Sequence, residues 1–137
     1  MFDDVPVSGK EWMQPWIEEF FEIGITSGCA ANPLRYCPER NVTRAEMAVF
    51  LLRAMHADAL PYTPDPSTSG VFIDVPVPGK EWMQPWIEEF YELKITTGCG
   101  GSIDGGDLKY CPEWFVTRAE MATFVVRAFQ FAELPEP

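Results

Sequence analysis

The sequence predicts a mostly α-helical protein, in which two tandem helix-loop-helix repeats pack as a pseudo-symmetric bundle with little or no β-structure. Residues 2–29 recur in closely similar form at 72–99, and the run 9–20 returns unchanged at 79–90. Apolar residues follow helical spacing in both copies. A Thr-Arg-Ala-Glu sequence, typical of a helix start, occurs once in each copy.

The repeats are expected at residues 1–59 and 71–132, with a proline-rich linker at 60–70 and a tail at 133–137. Each repeat supplies two helices and two loops, which is too little to bury its own apolar faces. The repeats are therefore expected to stack on each other or on a partner.

Composition favours a packed globular protein, because 47% of the 137 residues are hydrophobic and 14% are aromatic. A formal net charge of −11 argues against sequence-independent binding to nucleic acid. No apolar run approaches the roughly 20 residues of a membrane span. The acidic start, in place of a signal peptide, suggests a mature form or an excised piece of a longer chain.

The first helix of copy one is expected to begin near Trp12 to Pro15, because proline is tolerated in a first turn. One broad face then carries Trp12, Trp16, Ile17, Phe20 and Phe21. Gly24 is a natural left-handed stop, and Lys94 takes its place in copy two.

A cysteine pair flanks the following loop in each copy. Cys29 and Cys37 are eight residues apart, and Cys99 and Cys111 are twelve apart. One pair per repeat predicts the disulfides Cys29–Cys37 and Cys99–Cys111 in an oxidising compartment. A shared zinc site is the rival, but the closely spaced cysteine pairs of such sites are missing.

The second helix is expected to run from Arg44 to about Ala57. Thr43 and Glu46 can form a capping box at its start, and Thr117 and Glu120 repeat the pair. A core-facing stripe carries Met47, Phe50, Leu51, Ala54 and Met55, with Arg53 and Arg127 expected on the opposite side of their helices.

Arg44 and Arg118 do not follow the usual charge preference at a helix start. They stand at the first helical position, where the helix dipole disfavours a cation by about 0.3–1 kcal/mol. A bound anion would explain them, because a helix N-terminus with an added guanidinium is an anion site. A structural pair with an acidic residue of the same fold explains them as well.

Both copies carry one ordered set of residues. Copy one has Phe2, Asp4, Val5, Pro6, Trp12, Ile17, Gly24, Ile25, Gly28, Tyr36, Pro38, Thr43, Arg44, Ala45 and Glu46. Copy two has Phe72, Asp74, Val75, Pro76, Trp82, Ile87, Ile95, Gly98, Tyr110, Pro112, Thr117, Arg118, Ala119 and Glu120. Over nearly the whole chain this set resembles two tandem S-layer homology modules.

The resemblance implies non-covalent anchoring of exported proteins to cell-wall polysaccharide, often carrying acidic pyruvyl groups. It also implies three modules in a pseudo-threefold prism, with ligand in grooves near the Thr-Arg-Ala-Glu arginine. This chain departs from that pattern in having two modules and a cysteine pair in each loop.

The candidate glycan- and anion-binding residues are Arg44, Arg118, Lys10, Lys80, Trp12 and Trp82. Helical spacing favours core packing for one tryptophan of each pair, Trp12 with Trp16 and Trp82 with Trp86, and leaves the other for a groove rim.

Other polar groups favour plain structural roles. Asp104 and Asp107 offer too few oxygens for calcium, so a solvated loop is expected. Glu18-Glu19 and Glu88-Glu89 are expected to form a wet helix face. No nucleophile with a base, phosphate loop or metal-ligand cluster is found, so neither a cofactor, a metal nor an enzyme is expected.

Two functions remain open. The first is a non-catalytic anchoring module on the cell surface or cell wall that binds anionic, pyruvylated-type polysaccharide between its repeats. The second is a structural subunit of an extracellular assembly, whose third position is filled by self-association or a partner protein. The contacts are expected to come from first-helix residues such as Trp16, Phe20, Trp86 and Phe90.

Overall fold

The computed structural model describes residues 1–66 and 69–129. Within these ranges each repeat contributes two of the four α-helices, which are α1 (Gln14–Glu22), α2 (Arg44–Met55), α3 (Gln84–Glu92) and α4 (Arg118–Phe129). Three-residue 3₁₀ turns lie at Glu11–Met13, Ala57–Ala59 and Glu81–Met83. The paired strands of these ranges are β1 (Ala30–Ala31) and β2 (Leu34–Arg35), antiparallel with Ala30 opposite Arg35.

The prediction of a mostly α-helical fold is confirmed. No helix in the described ranges is both long enough and apolar enough to cross a membrane. The pseudo-symmetric packing of the repeats stays a prediction, as do the repeat boundaries, and the tail at 133–137 lies outside the described residues.

The first helices begin and end as their sequences suggest. Pro15 and Pro85 stand in the first turns of α1 and α3. Gly24 has φ 88° and Lys94 has φ 63°, so both adopt the left-handed conformation that terminates a helix.

Both capping boxes are formed, as predicted. The Thr43 hydroxyl accepts a hydrogen bond from the Glu46 N–H at 3.1 Å, and Glu46 accepts one from the Thr43 N–H at 3.0 Å. Thr117 and Glu120 make the same pair of bonds at 3.1 and 3.2 Å.

Both predicted disulfides are present. Each joins cysteines whose Cα atoms are 6.1 Å apart, which leaves no free cysteine and rules out the four-thiolate zinc alternative in this state. Asp4 holds the end of the first loop by accepting hydrogen bonds from the Tyr36 and Cys37 N–H groups at 2.9 and 2.8 Å. Burial alone would raise the pKa of Asp4, but these donors outweigh it and lower that pKa.

The main core joins α2 of the first repeat to α3 and α4 of the second. It includes Ala45, Ala48, Leu52, Phe90 and Phe124. A separate small cluster forms where α1 packs on the lead-in segment and the first loop, through Phe2, Val5 and Ile17. The second helix of repeat 1 is therefore packed mainly against the helices of repeat 2.

Because α2 is central, the expectation that it buries a single apolar stripe is wrong. Residues on most sides of its first half are buried: Arg44, Ala45, Met47, Ala48 and Val49. Arg53 is not on a solvent face, since its Nη1 donates to the Ile25 carbonyl at 3.1 Å and its guanidinium lies 5.4 Å from the Trp86 ring centroid. Arg127 repeats the bond to the Ile95 carbonyl at 3.3 Å.

The described part of the linker is tied to the core. The Tyr62 ring stacks on His56 with centroids 3.7 Å apart, and its hydroxyl donates to Glu89 at 2.5 Å. Burial and this bond raise the pKa of Tyr62 to about 12. Glu88 is buried and accepts hydrogen bonds from the N–H groups of Ser69 and Gly70. The expectation of a wet Glu88-Glu89 face is therefore wrong.

Candidate functional site

Arg44 lies between the two repeats. Only 3% of the residue is exposed, its Nε donates to the Tyr110 carbonyl at 2.8 Å, and its Nη1 is paired with Glu120. Its guanidinium carbon is 4.8 Å from the Tyr110 ring centroid and 5.4 Å from that of Phe124. The structure thus contains the structural pair that the sequence left open, and Glu120 offsets the unfavourable helix dipole.

The same guanidinium also lines a cavity of about 250 Å³, here called groove 2. Its wall carries Arg44, Thr96, Thr97, Gly98, Thr123 and Arg127, beside Glu120 and Phe124. Within the described residues the buried Nη2 of Arg44 has no hydrogen-bond partner. A buried hydrogen-bond donor without a partner destabilises the fold by about 1–3 kcal/mol. A ligand that brings an acceptor into groove 2 could therefore gain a hydrogen bond from Arg44 Nη2.

The backbone of groove 2 depends on a glycine. Gly98 has φ 94°, and a Cβ there would stand 2.6 Å from the Lys109 carbonyl oxygen. Only glycine allows this close passage of the two chain segments. Gly28 repeats the arrangement, with a Cβ position 2.5 Å from the Arg35 carbonyl oxygen.

A second cavity of about 170 Å³, here called groove 1, lies on repeat 1. Its wall carries Thr26, Gly28, Glu46, Phe50 and Arg53 from repeat 1, with Trp82 and Met83 from repeat 2. These five of its repeat 1 residues are the sequence counterparts of Thr96, Gly98, Glu120, Phe124 and Arg127 in groove 2. The chain therefore presents the same lining twice. Groove 2 adds Arg44 to this lining, and groove 1 adds Trp82.

The other predicted binding residues have different surroundings. Arg118 is exposed at the start of α4. The Lys10 amine is 3.0 Å from Glu39, and the Lys80 amine is 3.1 Å from Glu113, in two exposed ion pairs. Neither lysine lines either groove.

The tryptophans differ between the repeats. Trp82 is exposed on the rim of groove 1 while Trp86 is buried, which matches the division expected for each pair. In repeat 1 that expectation is wrong, because Trp12 and Trp16 are 66% and 72% exposed. The main core covers α3 but not α1, so no partner surface reaches Trp16.

Sequence reasoning missed Arg53, Arg127, Thr26 and Thr96. The signal was available, because each arginine and each threonine recurs at the equivalent position of the other repeat. Helical spacing alone predicted that the arginines face solvent. That spacing does not show that the segments carrying Ile25 and Ile95 pass close to them.

The glycine-rich loop of repeat 2 is exposed, as expected. Asp107 accepts a hydrogen bond from the Ser102 N–H at 3.0 Å, and Asp104 is exposed beside it. The Asp107 carboxylate thus organises the turn of this loop.

No family model matches the chain. The chain is 30% identical, over 134 residues, to an endoglucanase of Bacillus sp. (strain KSM-635). This similarity covers 95% of the present chain and 12% of the endoglucanase.

This finding corrects one expectation from the sequence. A protein that is not an enzyme was expected, but the matched protein is an endoglucanase, so that expectation is contradicted. The chain spans 12% of the length of that relative, so the similarity does not assign the activity of the endoglucanase to this chain.

Proposed function

We propose that this chain is a cell-surface anchoring unit that binds anionic, pyruvylated-type wall polysaccharide in grooves 1 and 2, within a longer polypeptide of the endoglucanase kind. The observation that carries the proposal is the repeated lining, which places an arginine and at least one threonine in each groove and adds an exposed tryptophan in groove 1. The resemblance to two S-layer homology modules supports it.

The charge distribution supports an anionic ligand at these places. The molecule carries a formal net charge of −11, so an acidic polymer is repelled from most of its surface. Arg53 lines groove 1 and Arg127 lines groove 2, and groove 2 adds Arg44 with its unpartnered Nη2. A carboxylate is a suitable acceptor for a guanidinium because two parallel hydrogen bonds can form.

The exposed ring of Trp82 supports a sugar as the body of the ligand. Trp82 is 54% exposed, although its neighbour Trp86 shows that the core accepts an indole at this helix. An amphipathic ring at a groove rim can pack on the apolar face of a sugar. The acidic group would then lie toward the arginine and the sugar ring against the indole.

The similarity to an endoglucanase suggests what the binding would be for: holding an enzyme at a carbohydrate surface. A segment that covers 12% of an enzyme's length can hold the remainder at a carbohydrate surface. The two intact disulfides are compatible with an extracellular location. Location at the cell wall belongs to the proposal.

Binding of the purified chain to pyruvyl-bearing wall polysaccharide tests the proposal, with the depyruvylated polymer and a neutral glucan as comparisons. We expect Arg127→Gln and Trp82→Ala each to weaken binding at least about tenfold, equal to about 1.4 kcal/mol. Trp16→Ala is the matched control, because Trp16 is exposed and lines neither groove. Equal binding to all three polymers would contradict the proposal.

The structural-subunit alternative also has an observation in its favour. Trp114 and Phe115 are 64% and 60% exposed just before α4. The expected contact through first-helix aromatics is wrong in repeat 2, because Trp86 and Phe90 are buried inside the chain. Association through repeat 2 must therefore use other residues, whereas Trp16 of repeat 1 is exposed.

A further inference from the structure

The two repeats meet through a defined pair of surfaces. The docking face of repeat 1 consists of Val42, Thr43, Arg44, Ala45, Ala48 and Leu51. The receiving face of repeat 2 consists of Tyr110, Pro112, Trp114, Val116, Glu120 and Phe124. Backbone bonds join them, from Arg44 N–H to the Trp114 carbonyl at 2.8 Å and from Val116 N–H to the Val42 carbonyl at 2.9 Å.

Repeat 2 carries a second copy of the docking face, and its helix residues Arg118, Ala119 and Ala122 are exposed. The sequence Thr-Arg-Ala-Glu-Met-Ala is identical at residues 43–48 and 117–122. Ala45 and Ala48 are 1% and 0% exposed, whereas their counterparts Ala119 and Ala122 are exposed. Ala122 lies in a depression of about 420 Å³, whose other lining residues are Val116, Thr117, Arg118, Met121 and Val125.

Repeat 1 carries a second receiving face, which is also open. A pocket of about 120 Å³ there is lined by Tyr36, Pro38, Arg40, Glu46 and Phe50, among others. Four of these are counterparts of Tyr110, Pro112, Glu120 and Phe124, the residues that contact Arg44 or Ala45. Tyr36 is only half-buried here, while Tyr110 is completely buried under repeat 1.

The two open faces are complementary in charge, because one carries Arg118 and the other carries Glu46. Transferring the observed contact onto them places Arg118 between the rings of Tyr36 and Phe50, with its guanidinium on Glu46. In the isolated chain Glu46 is paired with Arg40 at 2.5 Å, and Arg40 is 57% exposed at its side chain. An incoming guanidinium therefore has to displace only a solvent-exposed partner, whose pairing is worth little.

We propose that a second copy of this chain docks here, inserting its Arg118 into the Tyr36–Glu46–Phe50 pocket of the first. The contact is heterologous, because one copy offers its docking face and the other its receiving face. It closes into a ring if the rotation between successive repeats allows, and otherwise extends into longer assemblies.

The partner copy also adds a residue to groove 1. The pocket and groove 1 share Thr26, Gly28, Glu46 and Phe50 as lining residues. Groove 2 contains Arg44 from the neighbouring repeat, but groove 1 of a single chain has no counterpart of that arginine among its lining residues. Arg118 of the second copy would supply it, although the association itself requires no glycan.

Sedimentation velocity from about 1 to 100 µM, without polysaccharide, tests the proposal. We expect the wild-type chain to associate with rising concentration, and Arg118→Glu to weaken association at least about tenfold. Lys94→Glu changes the charge equally at an exposed site in neither face and should leave association unchanged. Arg40→Gln should strengthen association, because it frees Glu46.

A mixing experiment tests the heterologous geometry. Glu46→Gln keeps a capping acceptor but removes the charge that receives Arg118. An equimolar mixture of Glu46→Gln and Arg118→Glu has one intact pair of faces, so it should form 1:1 dimers and nothing larger. Wild-type protein that is monomeric at 100 µM, or association that Arg118→Glu does not reduce, would overturn the proposal.

Discussion

At the scale of single residues, Arg44 and Arg118 show how context assigns different roles to one motif. Both stand at the first position of a helix behind a threonine cap. Arg44 is enclosed by Tyr110, Phe124 and Glu120, while Arg118 is exposed. The sequence predicted an anionic partner for a cation at this position, and the partner of Arg44 is a carboxylate of the other repeat.

Replacing Arg44 should therefore destabilise the chain far more than replacing Arg118. We expect Arg44→Met to lower the free energy of unfolding by about 2–3 kcal/mol, less than for a fully buried pair, because the Glu120 side chain is 34% exposed. Arg118→Met is the matched control and should change it by less than about 0.5 kcal/mol. Urea unfolding at low micromolar concentration measures both, and equal effects would contradict the assignment.

Asp4 should make stability depend on pH in the acidic range. Its pKa is lowered in the folded state, so its contribution is present above the ordinary pKa of about 3.9 and is lost as pH falls through the folded value. We expect Asp4→Asn to be destabilising at neutral pH and the difference from wild type to shrink on acidification below about pH 4. Asp58→Asn, at an exposed aspartate, is the matched control in these thermal scans.

At the scale of elements, helix starts could be predicted and helix environments could not. The capping boxes depend on residues three positions apart, and both formed as expected. Burial of α2 on most sides depends on α3 and α4, which lie far along the chain. Arg53 was misassigned for this reason.

Removing either N-cap should cost about 1 kcal/mol of unfolding free energy, measured by thermal or urea unfolding of Thr43→Ala and Thr117→Ala. Independent effects were expected only if the two sites lie far apart. They lie close together, because Val116 N–H donates to the Val42 carbonyl at 2.9 Å and Thr43 is bridged to Phe115. We therefore expect the double variant to deviate from additivity by at least about 0.5 kcal/mol, and strict additivity would argue against this coupling.

At the scale of the whole molecule, two identical segments have different surroundings. Residues 9–20 and 79–90 have the same sequence, yet Trp16 is 72% exposed and Trp86 is 5% exposed. No local pattern could have separated them, because the difference arises from which helix lies beside α2. For the same reason, repetition in the sequence revealed two like units but not the faces they use to meet.

This asymmetry gives a direct comparison. We expect Trp86→Ala to lower the free energy of unfolding by about 3–5 kcal/mol, because it opens a cavity in the main core. Trp16→Ala should change it by less than about 0.5 kcal/mol. Similar losses from the two variants in urea unfolding would mean that the helices have equivalent environments in solution.

The anchored linker has a mechanical consequence. Tyr62 is held by His56 and Glu89, and Glu88 holds the N–H groups of Ser69 and Gly70. Tension applied along the polypeptide therefore reaches these side-chain bonds and the α2–α3 packing before it can extend the connection between the repeats. Under a pulling force, the two repeats should therefore unfold together in one event. Independently folded repeats joined by a flexible linker would unfold one after the other.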